Sequence, residues 1–202
     1  GSLSASGGSV EWLRAQLNHK PLSYDEIDAL LANAGPEPTG ILYFPYLVGS
    51  GPPHTDPLMR GAFIGLSASH GRADLLKAVL EGTVYEVEFI RQTGEHITGQ
   101  PIPALVTAGG GTRNRAWLQI KADVSGCRIE ASAEPEATLL GAALVAGIGS
   151  GVYANEAEAF HGLCLKPVEV FVPNAERHVV YKRLYEQGYL PLQEALSHHF
   201  NG

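Results

Sequence analysis

The sequence predicts an α/β domain, and three features carry that reading. Short apolar runs of strand length alternate with longer segments of helical periodicity, the pattern of layered α/β folds. One of the runs, Ala104 to Ala108, reads as a buried strand that passes straight into Gly109-Gly110-Gly111 and a helix. The stretch Arg72 to Gln92 sets Leu76, Val79, Leu80, Thr83, Val84, Val87 and Ile90 on one helical face.

The elements follow in order. Ser9 to Asn18 has helical spacing in Val10, Leu13 and Leu17. Ser23 to Ala34 follows, with Ser23 as N-cap and Glu26 three residues on, a capping-box pattern that Gly35-Pro36 terminates. Ile41 to Leu47 reads as a strand bent or edged by Pro45, and Gly49 to Arg60 as an irregular loop of functional composition. Gly61 to Leu66 is a short apolar segment before the long helix, inside which Gly82 costs roughly 1 kcal/mol against alanine. A glycine there implies a neighbour that comes close. Beyond the triple glycine, Thr112 to Ser125 is read as a helix with Gly126 as its C-cap, and Arg128 to Ala131 as a strand. Ala137 to Ile148 is a helix whose alanines and glycines permit close contact with a sheet, and Glu156 to Leu163 is a further helical piece. Val168 to Val172 is a strand, and a last helix, Ala175 to His199, is interrupted near Gly188 and Pro191.

Composition narrows the function. The 202 residues carry a formal net charge of −7 with no basic stripe, which argues against a nucleic acid or an anionic membrane as partner. No stretch approaches the roughly 20 apolar residues of a membrane span, and the N-terminus lacks a basic segment followed by an apolar run. Cys127 and Cys164 stand apart from any metal-ligand spacing, so they read as reduced thiols of a cytoplasmic protein, with no metal site. The chain begins without methionine, which suggests a processed product or a piece of a longer chain. Oligomeric state stays open, a homodimer among the options.

The chemistry centres on Ala108 to Asn114. Glycines admit a ligand close to the backbone, and a helix N-terminus offers unpaired N–H groups to phosphate oxygens. Asn114, read in the first helical turn, would present both a donor and an acceptor to a base or ribose. By itself the turn is equally well a plain connection. It is not a phosphate loop, because no Gly-Lys-Ser/Thr follows, and Asn114 stands where GxGxxG requires a glycine. A nicotinamide-dependent oxidoreductase is disfavoured for the same reason.

Gly61-Ala62-Phe63-Ile64-Gly65-Leu66 followed by Asp74-Leu75-Leu76-Lys77-Ala78-Val79-Leu80-Glu81 resembles the C-terminal signature of the FGGY carbohydrate kinases. The resemblance runs in order through Ser6 to Arg14, Phe44 to Leu47, Gly49 to Asp56, Ala108 to Asn114, Leu140 to Gly147 and Gly151-Val152-Tyr153. It implies an actin-like, ribonuclease-H-like ATPase fold, a mixed sheet flanked by helices, with residues 1–202 forming the C-terminal of two lobes that close over ATP and a sugar or polyol. It implies nucleotide contacts by Gly7, Glu11, Gly109, Gly110, Gly111 and Asn114, with Glu11 departing from the glutamine frequent at that place. Trp12 could stack near a base but reads better as a core residue. The family's Asp-Gly-Thr phosphate turn and its catalytic aspartate have no match here, so ATP would be bound with Mg²⁺ ligands mostly outside this chain. Asp56, Asp74 and Asp123 have plainer roles in a turn, a first helical turn and a helix face. No catalytic residue is assigned, and a non-catalytic nucleotide-binding or regulatory module is the alternative.

Overall fold

The computed structural model describes residues 6–132, 134, 136–161 and 169–201, so Cys164 and the expected ends at Leu163 and Val168 lie outside the described residues. Helices α1 (Ser6–Gln16) and α2 (Tyr24–Ala34) lead into strands β1 (Leu42–Phe44) and β2 (Ala62–Ile64), then the long α3 (Arg72–Thr98). Strand β3 (Ala104–Thr107), a 3₁₀ turn (Gly110–Arg113), α4 (Arg115–Ser125) and β4 (Arg128–Ala131) follow. Helices α5 (Ala137–Gly149) and α6 (Glu156–His161), strand β5 (Glu169–Phe171), α7 (Ala175–Leu184), a π-helical turn (Tyr185–Tyr189) and α8 (Leu190–Asn201) complete the chain.

Two small sheets form, one packed on α3 through β1 and the other on α4. β1 and β2 pair antiparallel, with Tyr43 opposite Phe63. β3 and β4 are parallel and β5 runs antiparallel to β4, a mixed sheet. The expected capping box is present: Ser23 Oγ accepts from Glu26 N at 3.2 Å, and Glu26 returns a carboxylate to Ser23 N at 2.7 Å. Asp74 caps the start of α3 through Gly71 N at 2.8 Å, and the helix runs to Thr98, six residues beyond the expected stop at Gln92, where Gly99 ends it in the left-handed region.

Burial of α3 is more complete than an amphipathic face requires. Lys77, Glu81, Glu86 and Glu88 are buried along with its apolar residues, because α1, α2, β1 and α4 all pack on it. Glu81 accepts from Thr39 N at 3.2 Å and from Tyr181 Oη at 2.8 Å, with Lys77 Nζ 3.9 Å away. Burial pushes its carboxyl above the usual range, and these partners work against that rise. Glu86 receives Tyr46, Tyr189 and Gln193.

The small residue inside α3 has the expected cause. A Cβ on Gly82 would lie 2.1 Å from the Tyr43 carbonyl oxygen, so β1 crosses the helix where no side chain fits.

Four expectations change. Asn114 is not in the first turn of a helix starting near Thr112; a 3₁₀ turn intervenes and α4 begins at Arg115. β3 is not a buried strand: Leu105 packs towards α4 while Val106 is 74% exposed, on the side of that sheet away from α4. The small residues of α5 meet α6 rather than a sheet, with the Tyr153 ring lying over Gly147. Trp12 is 40% exposed on the outer side of α1 and is not a core residue.

The Tyr43–Gly82 crossing makes a direct prediction. Gly82→Ala is expected to lower the unfolding free energy by about 3 kcal/mol, the upper range for overpacking, in urea denaturation. An unchanged midpoint would show that the crossing can relax.

Candidate functional site

The glycine turn is built by two local devices. Gly109 turns the chain after β3 at φ 87°, and Thr112 N donates back to its carbonyl at 3.0 Å, closing the 3₁₀ turn. Asn114 then caps α4: its Oδ1 accepts from Trp117 N at 2.8 Å. The residue is therefore placed by the helix it starts.

A cleft of about 430 Å³ opens beside this turn. Gly7, Val10 and Glu11 of α1 form one wall, Tyr24, Ile27 and Asp28 of α2 a second, with Leu80 of α3 below. Gly110, Gly111, Arg113, Asn114 and Trp117 close the other side. Of the six residues expected from the sequence, Gly7, Glu11, Gly110, Gly111 and Asn114 line the same cleft, although more than ninety positions separate the two groups in the chain. Gly109 does not line it and acts as the turn that aims the other two glycines.

The interior suits a flat apolar ring with a polar rim. Val10, Ile27, Leu80 and Trp117 are buried side chains that face it, and the Trp117 ring packs 3.2 Å from where a Gly111 Cβ would stand. A Cβ placed on Gly7 or Gly110 meets nothing within 4 Å, so both glycines border open space. At the rim, Glu11 is already engaged by Tyr24 Oη at 3.0 Å and Arg14 Nε at 2.6 Å. Asn114 Nδ2 lies 3.5 Å from Asp28 Oδ1. Tyr24, Ile27, Asp28, Leu80, Arg113 and Trp117 were not singled out from the sequence. The four-residue step from Tyr24 to Asp28 on a capped helix was the signal available, but nothing in it indicates which surface that face meets.

The three aspartates weighed from the sequence all hold structure. Asp56 Oδ1 accepts from Leu58 N at 2.9 Å, and Asp74 caps α3. Asp123 is buried, not simply set on a helix face, and receives Asn174 N and Arg177 Nε, each at 2.7 Å, tying α4 to α7. Among the described residues, no group of three His, Cys, Asp or Glu side chains could hold a metal ion, and no helix is long and apolar enough to cross a membrane. Cys127 is a buried free thiol. A larger cleft of about 670 Å³ lies between the Gly49–Met59 loop, α3 and α8, on residues the glycine turn does not reach.

Comparison with known proteins bears on this cleft. Residues 1–150 match the family described as the FGGY family of carbohydrate kinases, C-terminal domain. The chain is 34% identical over 185 residues to a xylulose kinase of Staphylococcus epidermidis, a match over 90% of this chain and 36% of that protein. It is 34% identical over 185 residues to a glycerol kinase of Gloeobacter violaceus, over 92% of this chain and again 36% of that protein. The crystal structure of xylulose kinase from Rhodospirillum rubrum superposes with a TM-score of 0.82 at 30% identity, covering 99% of this chain and 40% of that one. The chain thus spans little more than a third of the length of these curated relatives, and its fold is that of the actin-like ATPase domains.

Lys121 gives the cleft wall a titratable marker. Its ammonium lies 4.7 Å above the Trp117 ring centroid, and burial pushes its pKa down from 10.5 to about 8. Between pH 8 and 10 the unfolded chain then binds more protons at this residue than the folded one, so its contribution to stability rises with pH. Measured against Lys121→Met, the wild type is expected to gain stability across that window and to lose the gain below it. Parallel stability curves for the two proteins would refute the assignment.

Proposed function

The chain belongs to the FGGY family of carbohydrate kinases, and we propose that it forms the C-terminal, nucleotide-binding lobe of an ATP-dependent kinase acting in the cytoplasm on a pentulose-like sugar or a polyol. The observation that carries this reading is the convergence of Gly7, Glu11, Gly110, Gly111 and Asn114 on one cleft with apolar walls. A purine fits between Ile27, Leu80 and Trp117, where apolar surface leaves water on binding. The Gly110 backbone permits close approach of the ribose and phosphate end, since a Cβ there would meet nothing within 4 Å.

ATP, when bound, supplies the phosphoryl group that is transferred to a hydroxyl. This chain's residues bind and orient the nucleotide. The carboxylate that takes the hydroxyl proton and the ligands for Mg²⁺ would come from the part of the longer protein that its relatives carry ahead of this region. A nucleotide-binding module without catalysis is the second reading. It is favoured by the structural engagement of Asp56, Asp74 and Asp123, which leaves none of the three as an obvious base.

Calorimetry separates these claims. The chain is expected to bind ADP, and Asn114→Ala to weaken that binding by about tenfold through the lost hydrogen bond. Loss of the helix cap, about 1 kcal/mol, is read separately in thermal unfolding. ADP affinity unchanged by Asn114→Ala would remove the cleft as the nucleotide site. Sugar-dependent ATP turnover by the longer protein across a panel of ketoses and polyols supports the kinase. Its absence, with ADP still bound, leaves the non-catalytic module.

A further inference from the structure

We infer that Asn114 and Asp28 together read the six-position edge of a purine, accepting adenine and rejecting 6-oxopurines; this deepens the nucleotide-site reading and rests on it. Asn114 Oδ1 is committed to Trp117 N at 2.8 Å, so flipping the amide would put its NH₂ against a backbone donor and leave that N–H unpaired. The side chain therefore meets the cleft with its NH₂ group alone. It is a donor there, not the donor and acceptor that the free residue would offer.

Asp28 supplies the complement. It lines the same cleft from α2, and its Oδ1 lies 3.5 Å from Asn114 Nδ2, a long contact that a ligand could displace or bridge. No described residue donates to its other oxygen. A carboxylate only accepts. Glu11 is less suited to the task, because Tyr24 Oη and Arg14 Nε already engage its two oxygens.

A donor beside an acceptor is the mirror of one purine pattern. Adenine presents an N6 amino donor next to a ring-nitrogen acceptor, on its N7 side and on its N1 side alike. Guanine and hypoxanthine carry O6 in place of that amino group. Against Asp28 an O6 sets two acceptors face to face, one of them charged, and a repulsion of that kind rejects a ligand more strongly than a missing contact would.

The test is calorimetric binding of ADP, IDP and GDP to the wild type, Asp28→Asn and Asp28→Ala. Asp28 is exposed on α2, so neither change empties the core, and far-UV circular dichroism checks the helix content. The wild type is expected to prefer ADP to IDP and GDP by about tenfold or more. Asp28→Asn, whose amide can donate to O6, should bring the three to within about threefold of one another. Asp28→Ala should weaken ADP while leaving IDP unchanged or tighter. Equal affinities in the wild type, or a preference that survives Asp28→Asn, would overturn the base-reading role while ADP binding sensitive to Asn114→Ala keeps the nucleotide site. A wild type that binds no purine nucleotide removes both.

Discussion

The buried carboxylate of Glu81 is the interaction on which the arrangement depends. An ionised group taken out of water must be met by donors, and breaking such a site by removing one partner typically costs about 3–5 kcal/mol. Its donors come from two distant places, Thr39 before β1 and Tyr181 in α7, and the Lys77 ammonium one turn back in α3 faces it at 3.9 Å. One residue thereby fixes the segment leading into β1, the central helix and α7 relative to each other. Glu86 repeats the device five residues on with Tyr46, Tyr189 and Gln193, so α3 holds the last helices by polar contacts as well as by packing. Immediately beside Glu81, the missing side chain of Gly82 lets β1 lie on the helix.

The cleft follows from that frame. α1, α2 and α4 all pack on α3, which brings the Gly7–Glu11 segment of α1 and the Gly110–Asn114 turn to the same opening. Neither segment lines the opening alone. Joined over Leu80, they give apolar walls from buried residues and a rim of donors and acceptors whose orientation is set by helix caps and ion pairs. Electrostatically the rim holds carboxylates of Glu11 and Asp28 with Arg113 between the glycine turn and α4, a charge pattern suited to the base and ribose more than to a dense phosphate cluster.

Much of this was readable from residues, for stated reasons. The Ser23–Glu26 box and the left-handed cap Gly126 are local events whose chemistry is written in a few neighbouring residues, and Gly82 announced a close neighbour without saying that it is Tyr43, while the cap at Gly99 lay beyond the expected stop at Gln92. The glycine turn was legible as a turn, and its partnership with Gly7 and Glu11 only through family resemblance, because the contact joins segments far apart in the chain. What escaped was tertiary. Lys77, Glu81, Glu86 and Glu88 gave α3 a polar side, and only neighbours on all sides explain their burial. Val106 looked like core because strand pattern cannot say whether a helix covers its second face. Asp28 carried no motif at all, and its place at the rim is set by how α2 lies on α3.

The π-helical turn between α7 and α8 bears on how the C-terminal helix keeps its aim. Tyr181, Tyr185 and Tyr189 are spaced four residues apart, and in a regular α-helix each such step drifts by about 40° around the axis. Such a drift would carry the third ring off the surface that the first one covers. The wider turn at Tyr185–Tyr189 takes up part of it, so all three rings remain buried against Tyr85. The turn thus works as a phase correction, and the residues after it inherit their orientation from its residue count. A one-residue deletion within it would leave a helix of almost the same length, with Gln193 rotated away from Glu86.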